Sequence, residues 1–224
     1  MKQLIIGLLS EGSTDFRFLN SIIKRTFEEL SFECVGEIEI LEIQDILIEK
    51  TSFTELVLNA AIHANENLGV MIMCLHSDAD ARSDRNTYDN KILPALKKVS
   101  EYDGKDICKK IVPIVPITMT ESWMLADKEL FKEELCTNLS FSDLGIVKKP
   151  ENITDPKSII KLAITKAYSI RSGRRTHPTI GDIYLPIGQK IKINALKKLK
   201  SYNKFYLEAR AALVQMGYIV DKNR

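Results

Sequence analysis

Two short apolar runs that each lead into acidic residues constrain the fold of this 224-residue chain most strongly. Residues 69–76, GVMIMCLH, are apolar up to the histidine, as expected for a strand that is covered on both faces. The run at residues 3–9 is similar, and Glu11 and Asp15 follow it on either side of a short turn. We therefore predict a buried parallel strand at each place, with residues 69–76 as the central strand.

Helical patterns alternate with these strands in the first part of the chain. Apolar side chains recur at helical spacing over residues 16–30, and we also predict helices near 52–66 and 87–100. Residues 36–43 alternate Ile with Glu, which indicates a strand near a sheet edge, and IVPIVP at 111–116 indicates an irregular strand. This alternation is typical of an α/β fold with a mainly parallel sheet flanked by helices.

The strand pattern fades after residue 130, and a mostly helical extension is predicted from there. Residues 155–170 have a helical pattern with Pro156 in the first turn, and residues 193–217 predict one or two helices that end at Gly217. Residues 171–186 are rich in turn-forming residue types, so we predict a long loop there.

Charge is divided unevenly between these two parts. Residues 1–128 contain 14 basic and 21 acidic residues, whereas residues 129–224 contain 18 basic and 9 acidic ones. An acidic body joined to a basic surface suits a protein that binds a cation and a polyanion, although basic residues also solvate helix faces. The four cysteines form no CxxC pair, and the apolar run at residues 4–9 is too short to cross a membrane. We therefore expect a cytoplasmic protein with no targeting segment and no membrane partner.

Five acidic residues follow the ends of the predicted strands. Glu11 and Asp15 follow the first strand, Asp78 and Asp80 follow the central strand, and Glu121 follows the next one. Because the carboxyl ends of parallel strands share one edge of a sheet, we expect these carboxylates to meet there. Crowded carboxylates repel each other unless a hard cation such as Mg²⁺ neutralises them. The sequence therefore predicts a site for one or two Mg²⁺ ions, which suits phosphodiester cleavage.

Each of these acids also has a simpler structural explanation when taken singly. Asp15 suits the first turn of a helix, Asp78 and Asp80 suit a solvated loop, and Glu121 suits a helix start with Thr120 as the cap. Their coincidence at successive strand ends favours the metal site. We expect His76 to lie behind the ligands or in the core, since histidine suits zinc better than Mg²⁺.

The motif EGSTD after the first strand, DAD after the third strand and an acid after the next resemble the Toprim domain, which topoisomerases, primases and OLD-family nucleases share. The resemblance covers about residues 3–127. The rest of the chain, including ENITDPKSI and GRRTHPTIGDIYLPIGQKI, is similar to small bacterial Toprim nucleases of the OLD and abortive-infection (AbiL) type. The resemblance implies a Toprim-like catalytic domain at 1–130 and a basic, mostly helical extension packed on it at 131–224.

The resemblance also implies roles for the acids. Glu11 becomes a metal ligand or the general acid/base, Asp78 and Asp80 become catalytic Mg²⁺ ligands, and Asp15 and Glu121 complete the metal set, with Mn²⁺ as a substitute ion. The implied activity is Mg²⁺-dependent hydrolysis of DNA or RNA, as the effector of an anti-phage defence system with an AAA or ABC-type ATPase partner. Water is the expected nucleophile, because no topoisomerase tyrosine domain or primase module can be identified.

A basic stretch after residue 170 is the candidate substrate contact. Arg171, Arg174, Arg175 and His177 lie in the predicted loop, and forked guanidinium groups suit phosphate. An exposed basic loop or a partner-docking surface is the alternative. Tyr184 is the aromatic side chain that we expect to be exposed in this loop, whereas we expect Trp123 to pack in the core.

Two other functional classes remain open from the sequence. A regulatory or binding subunit of an ATPase complex would keep the fold and act through partner contacts without catalysis. A phosphoacceptor domain would also gather acids around Mg²⁺ and would use Asp78 as the phosphorylated residue. Dinucleotide binding is disfavoured, because no GxGxxG motif follows the first strand.

Overall fold

Parallel strands form the centre of the computed structural model, which describes residues 2–169 and 177–220. A four-stranded sheet has the order β4-β2-β5-β6, and β1 pairs separately with β3. All of these pairings are parallel. The strand bounds are β1 Lys2–Leu4, β2 Ile6–Leu9, β3 Ile38–Ile40, β4 Gln44–Asp45, β5 Ile72–His76 and β6 Ile111–Ile114. The predicted α/β class and the central position of the strand within 69–76 are confirmed.

Helices connect the strands and make up the C-terminal region of the described chain. A π-helical turn at Tyr88–Ile92 joins the third helix to the fourth. The helix bounds are α1 Ser13–Ser31, α2 Phe53–Glu66, α3 Arg85–Thr87, α4 Leu93–Glu101, α5 Glu121–Met124, α6 Lys128–Glu134, α7 Pro156–Ser169, α8 Ile180–Lys190, α9 Ile193–Leu196 and α10 Lys200–Gln215. In the part of the chain that the structure describes, no helix combines the length and the apolar character needed to span a bilayer.

The central strand buries opposite faces against two different layers of helices. Ile72 and Cys74 belong to a core that includes α1 and the C-terminal helices. Met73 and Leu75 belong to a second core with α2 and α4. Both cores exclude water from the strand, which explains why its sequence is apolar at every position rather than at alternate ones.

Three details of the sequence-based assignment are wrong. The predicted strand at residues 3–9 is interrupted at Ile5, so that β1 and β2 pair with different partners. The predicted loop at 171–186 includes the first half of α8, and a short strand, β4, was not predicted. Helix α8 begins at a cap in which the Asp182 carboxylate accepts a 2.7 Å hydrogen bond from the Thr179 amide. This local cap allows a helix to start within a sequence that otherwise indicates turns.

Helix α8 packs against α1 at very short range. A Cβ atom placed on Gly188 would lie 2.4 Å from the carbonyl oxygen of Phe18, so only glycine fits at this contact. The Arg25 guanidinium of α1 donates hydrogen bonds of 2.6 Å to the carbonyl oxygens of Gly188 and Ile191, at the C-terminal end of α8. These bonds fix the C-terminal region on the helix that begins at the acidic turn.

Candidate functional site

The strand register brings the acidic segments to one edge of the sheet. Leu9 of β2 aligns with Leu75 of β5, and His76 aligns with Ile114 of β6. The chain therefore leaves all three strands at the same level. This placement agrees with the prediction that the segments carrying Glu11, Asp78 and Glu121 would share the carboxyl edge.

Glu11 lies at the exposed side of this edge. Its Oε1 atom accepts a 2.9 Å hydrogen bond from the hydroxyl of Ser77, the residue that links the central strand to Asp78. Gly12 then starts α1, and the Asp15 amide donates a 3.1 Å bond to the Gly12 carbonyl. The turn after β2 is thus connected to the end of β5 through a carboxylate and a buried serine.

Asp78 is held in place by Thr120 and His76. Its Oδ1 atom accepts hydrogen bonds from the Thr120 amide at 2.9 Å and the Thr120 hydroxyl at 3.1 Å. The His76 Nε2 atom lies 3.3 Å from the same oxygen and 2.9 Å from the Thr120 hydroxyl. The sequence suggested that the Thr120 side chain caps α5. In the structure it makes no capping bond and orients Asp78 instead.

His76 is buried beneath the carboxylates. Burial alone would lower its pKa, but the hydrogen bond with Asp78 and the negative charges of Asp78, Asp15 and Glu11 outweigh this effect and raise the pKa. Its Nδ1 atom is buried without a hydrogen-bond partner among the described residues. This position agrees with the expectation that His76 lies behind the ligands or in the core.

Asp15 lies on the first turn of α1 and is partly buried against the other acids. Burial raises the pKa of its carboxyl group, and the negative charges of Asp78 and Glu121 raise it further. The charge of His76 and a hydrogen bond from Thr120 act in the opposite direction without cancelling the effect. Asp15 is therefore an acid in an environment that already carries excess negative charge.

Glu121 is 4% exposed and is held by the C-terminal region. The Tyr184 hydroxyl donates a 2.5 Å hydrogen bond to its Oε1 atom, and Lys157 Nζ lies 3.7 Å from the same oxygen. Tyr184 was predicted to be exposed in a loop, and that prediction is wrong, because the residue lies on the buried face of α8. Burial and the charge of Glu121 also raise the pKa of the Tyr184 phenol, so the group acts as a neutral donor.

Asp80 differs from the other four acids in its left-handed backbone conformation. Its side chain is exposed, and its backbone has φ 52°, opposite Thr118 with φ 67°. The Asp80 amide donates to the Thr118 carbonyl at 2.9 Å, which holds the two left-handed residues together. Over residues 2–169 and 177–220, no hydrogen bond joins the Asp80 carboxylate to Ser77, Thr120 or Tyr184, which hold other acids of the site, so its role as a ligand stays a prediction.

The candidate substrate contact is described only in part. Arg171, Arg174 and Arg175 lie outside the described residues, so their predicted role is not addressed by the structure. His177 is exposed and packs edge-on against the Tyr168 ring, with the ring centroids 5.4 Å apart. Two lysines of the basic C-terminal region are paired with acids: Lys190 with Glu134 at 2.7 Å, and Lys197 with Glu29.

Three other side chains near the site have structural roles, and the prediction that Trp123 packs in the core is confirmed. Trp123 is fully buried and donates a 2.8 Å hydrogen bond to the Ser201 hydroxyl, so it packs in the core. Asp127 caps α6 by accepting a hydrogen bond from the Leu130 amide. Asp84 pairs with Lys204 at 2.8 Å. None of these three side chains is bonded to the acids of the sheet edge where Glu11, Asp15, Asp78 and Glu121 lie, which we call the acidic edge.

The carboxylates of this edge are suitable ligands for a divalent cation, but the described side chains do not form a complete coordination shell. In the described part of the chain, no group of three or more His, Cys, Asp or Glu side chains is arranged to bind a metal ion directly. Mg²⁺ commonly binds through one or two carboxylates while water and substrate phosphate fill its other positions. Asp78 and Asp15 are suitable carboxylates, since their mutual repulsion would be relieved by positive charge.

The sequence analysis did not predict the roles of four residues in the site. Ser77 and Thr120 connect the acids to each other, and Lys157 and Tyr184 hold Glu121. Ser77 and Thr120 directly precede an acid in the sequence, so their positions offered a signal. Tyr184 and Lys157 lie far away in the chain and offered none.

A cavity of about 490 Å³ opens beside Glu11 on the α2 side of the sheet. It lies between the turn after β2, the segment after β4 and the start of α2, and Glu11 and His76 line the side nearest the acids. Most of its wall is apolar, with Asp45 and Lys50 among the polar groups. Burial raises the pKa of Asp45. The cavity therefore touches the acidic edge at Glu11 and at His76.

Comparison with known proteins returned no matching family model, no matching curated protein and no matching solved structure.

Proposed function

We propose that this protein is a Mg²⁺-dependent nuclease of the Toprim type that hydrolyses phosphodiester bonds in DNA or RNA. The observation that carries the proposal is the meeting of Glu11, Asp15, Asp78 and Glu121 at one strand edge, with Ser77 and Thr120 bonded between them. The sequence resemblance described above supports the same activity. It also suggests that the protein is the effector of an anti-phage defence system under the control of an ATPase partner.

The residues of this edge would have different roles in hydrolysis. Glu11 is exposed and would accept the proton of the attacking water, whereas Asp78 is already oriented by Thr120 and would hold the cation with Asp15. Bound Mg²⁺ would supply positive charge to the phosphodiester and make water more acidic. Tyr184 and Lys157 would keep Glu121 in place behind these groups.

Cleavage of a mixed substrate panel tests this activity. Plasmid, linear DNA and total RNA are incubated with Mg²⁺ or Mn²⁺ and with the wild type, Glu11→Gln or Asp78→Asn. We expect metal-dependent cleavage of at least one substrate by the wild type and a loss of about 100-fold or more in both variants. Glu101→Gln, the same chemical change at an exposed residue of α4, is the control and is expected to cleave normally. Full activity in Glu11→Gln would contradict the proposal.

Thermal unfolding measures metal binding independently of cleavage. Mg²⁺ or Mn²⁺ at 100 times its dissociation constant should stabilise the wild type by about 2.7 kcal/mol. The same ion should stabilise Asp78→Asn much less, because this substitution removes a ligand without changing the size of the side chain. Equal stabilisation of the two proteins would mean that the ion binds elsewhere.

A binding or regulatory subunit without catalysis is the second candidate. One observation favours it: one oxygen of the buried Glu121 is already engaged by Tyr184 and Lys157. This candidate predicts that Glu11→Gln leaves function in a cell-based infection assay unchanged. The nuclease proposal predicts that the same variant abolishes it.

A further inference from the structure

The cavity beside Glu11 has the size and surface of a site for a small flat molecule. Its volume of about 490 Å³ lies within the range of about 300–1,000 Å³ that is usual for small-ligand sites. Two strand ends, the segment after β4 and the first turns of α2 form its walls. The apolar side chains that line it are Leu9, Ile46, Leu47, Ile48, Phe53, Leu56 and Leu75.

The position of the cavity limits which part of a substrate reaches it. Glu11 lines the cavity and also belongs to the acidic edge, so whatever occupies the cavity is adjacent to the reacting phosphodiester. The phosphates and sugars of a nucleic acid are polar, and its bases alone offer flat apolar faces. Apolar and aromatic side chains bind such faces by stacking, which is the common mode of binding to unpaired strands.

The polar groups of the cavity suit the edge of a base. Asp45 offers a carboxylate that can accept a hydrogen bond from an exocyclic amino group, and Lys50 offers a donor to a ring nitrogen or carbonyl oxygen. These two groups lie in the lining beside a mainly apolar wall. The combination of an apolar wall with a few polar groups is the usual composition of a site that recognises one orientation of its ligand.

We propose that this cavity binds one unpaired base next to the phosphodiester that is cut, and that the substrate is therefore a single strand or an unpaired segment of DNA or RNA. The proposal rests on the proposed nuclease function and specifies its substrate class. A base inside a duplex is stacked on both faces and paired at its edge, so it enters such a cavity only after unpairing.

Binding of a short strand with and without its bases tests the proposal. Fluorescent tetranucleotides of DNA and of RNA are compared with a fully abasic tetramer that has the same phosphate charge, by anisotropy with Ca²⁺ in place of Mg²⁺. We expect the intact strand to bind about tenfold more tightly or better, which corresponds to the loss of one stacked base. A ratio near one in the wild type for both DNA and RNA would overturn the proposal.

Two matched variants locate the effect in the cavity. Leu47 lies on the cavity wall and is 76% exposed, so Leu47→Asp places a charge there without disturbing the core. Val35 is 64% exposed and lies beyond the other end of α1, which makes Val35→Asp the control. The ratio of intact to abasic affinity should fall severalfold in Leu47→Asp and stay unchanged in Val35→Asp. An unchanged ratio in Leu47→Asp would place the base contact elsewhere and would refute this assignment.

Competition with a duplex tests the requirement for an unpaired base. A 12-base-pair duplex should compete at least tenfold less well than its separated strand, and equal competition would overturn the single-strand claim. These binding measurements do not depend on cleavage. Base-dependent binding by a protein that cleaves nothing would refute the nuclease function and leave the cavity assignment standing. Cleavage without base-dependent binding would support the nuclease function and refute the cavity assignment.

Discussion

Glu11 and Glu121 lie at the same edge of the sheet but are held in opposite ways. Glu11 is exposed, and its bond with Ser77 comes from the neighbouring strand end. Glu121 is buried, and both Tyr184 and Lys157 come from helices of the C-terminal region. The first carboxylate is accessible for chemistry, whereas the second mainly connects two regions of the molecule.

This difference teaches that the candidate site is not made by the N-terminal part of the chain alone. The hydroxyl of Tyr184 on α8 and the ammonium group of Lys157 on α7 are the contacts of a carboxylate on α5. A buried carboxylate without donors is costly, so Glu121 depends on these two helices for its position. We therefore expect substitutions at Glu11 to change activity and those around Glu121 to change stability.

The largest effect that we expect is the loss of cleavage in Glu11→Gln. The amide keeps the size of the side chain and can still accept the Ser77 hydrogen bond, but it cannot take a proton from water. Cleavage rates should fall by about 10²- to 10⁴-fold, the range for loss of a general base. The free energy of unfolding should change by no more than about 0.5 kcal/mol, as at other exposed positions. A large loss of stability in Glu11→Gln would contradict the view that Glu11 serves activity whereas Glu121 serves stability.

Tyr184→Phe should have the next largest effect, and this effect should appear in stability. Removing the hydroxyl takes away the 2.5 Å donor of the buried Glu121, which should cost about 1–3 kcal/mol of unfolding free energy in chemical denaturation. Tyr206→Phe is the matched control, because its hydroxyl donates to the half-exposed Glu29 at 3.2 Å. Equal losses in the two variants would show that burial of the acceptor does not decide the cost.

Lys157→Met tests the weaker partner of Glu121. Lys157 Nζ is 3.7 Å from the carboxylate and its side chain is half exposed, so its loss should cost between about 0 and 1 kcal/mol. The difference from the wild type should shrink in 1 M salt, since the ammonium group is open to solvent. Lys161→Met, one turn along α7 on an exposed position, serves as the control. A loss as large as that of Tyr184→Phe would reverse the assigned order of the two partners.

The smallest effect should be a gain in stability in Asp15→Asn when divalent ions are absent. The pKa of Asp15 is raised above 3.8 in the folded state, so its carboxyl group ionises more readily in the unfolded chain, and stability falls as the pH rises from 3.8 through the folded pKa. The variant should therefore melt at a higher temperature than the wild type at pH 7. This difference should disappear as the pH falls below 3.8, where the carboxyl is protonated in both states.

Asp143→Asn provides the opposite case for the same measurement. Hydrogen bonds from Ser140 lower the pKa of Asp143, so its ionised form stabilises the fold above pH 3.8. Its replacement should lower the melting temperature at pH 7, and the loss should fade as the pH falls through the lowered pKa. A lower melting temperature for Asp15→Asn at pH 7 would contradict the account of the acidic edge.

The sequence predicted the parts of this site that local patterns specify. Apolar runs predicted the ends of β2 and β5, and the rule that parallel strands share a carboxyl edge placed Glu11 and Asp78 together. The partners of Glu121 were beyond such reasoning, because Tyr184 contacts it across 63 positions of sequence. Helix α8 was also hidden, since Gly181 and Pro186 indicate turns when their neighbours in space are unknown. Tertiary packing overrides those local preferences here.

Gly188 has no functional side chain, but its close contact with α1 helps to set the positions of the acids. Gly188 lies one turn beyond Tyr184 on α8 and meets the backbone of α1 at Phe18, one turn beyond Asp15. A single added methyl group would separate the two helices and carry the Tyr184 hydroxyl away from Glu121. A genetic screen for inactive variants should therefore recover substitutions at this glycine alongside those at the carboxylates.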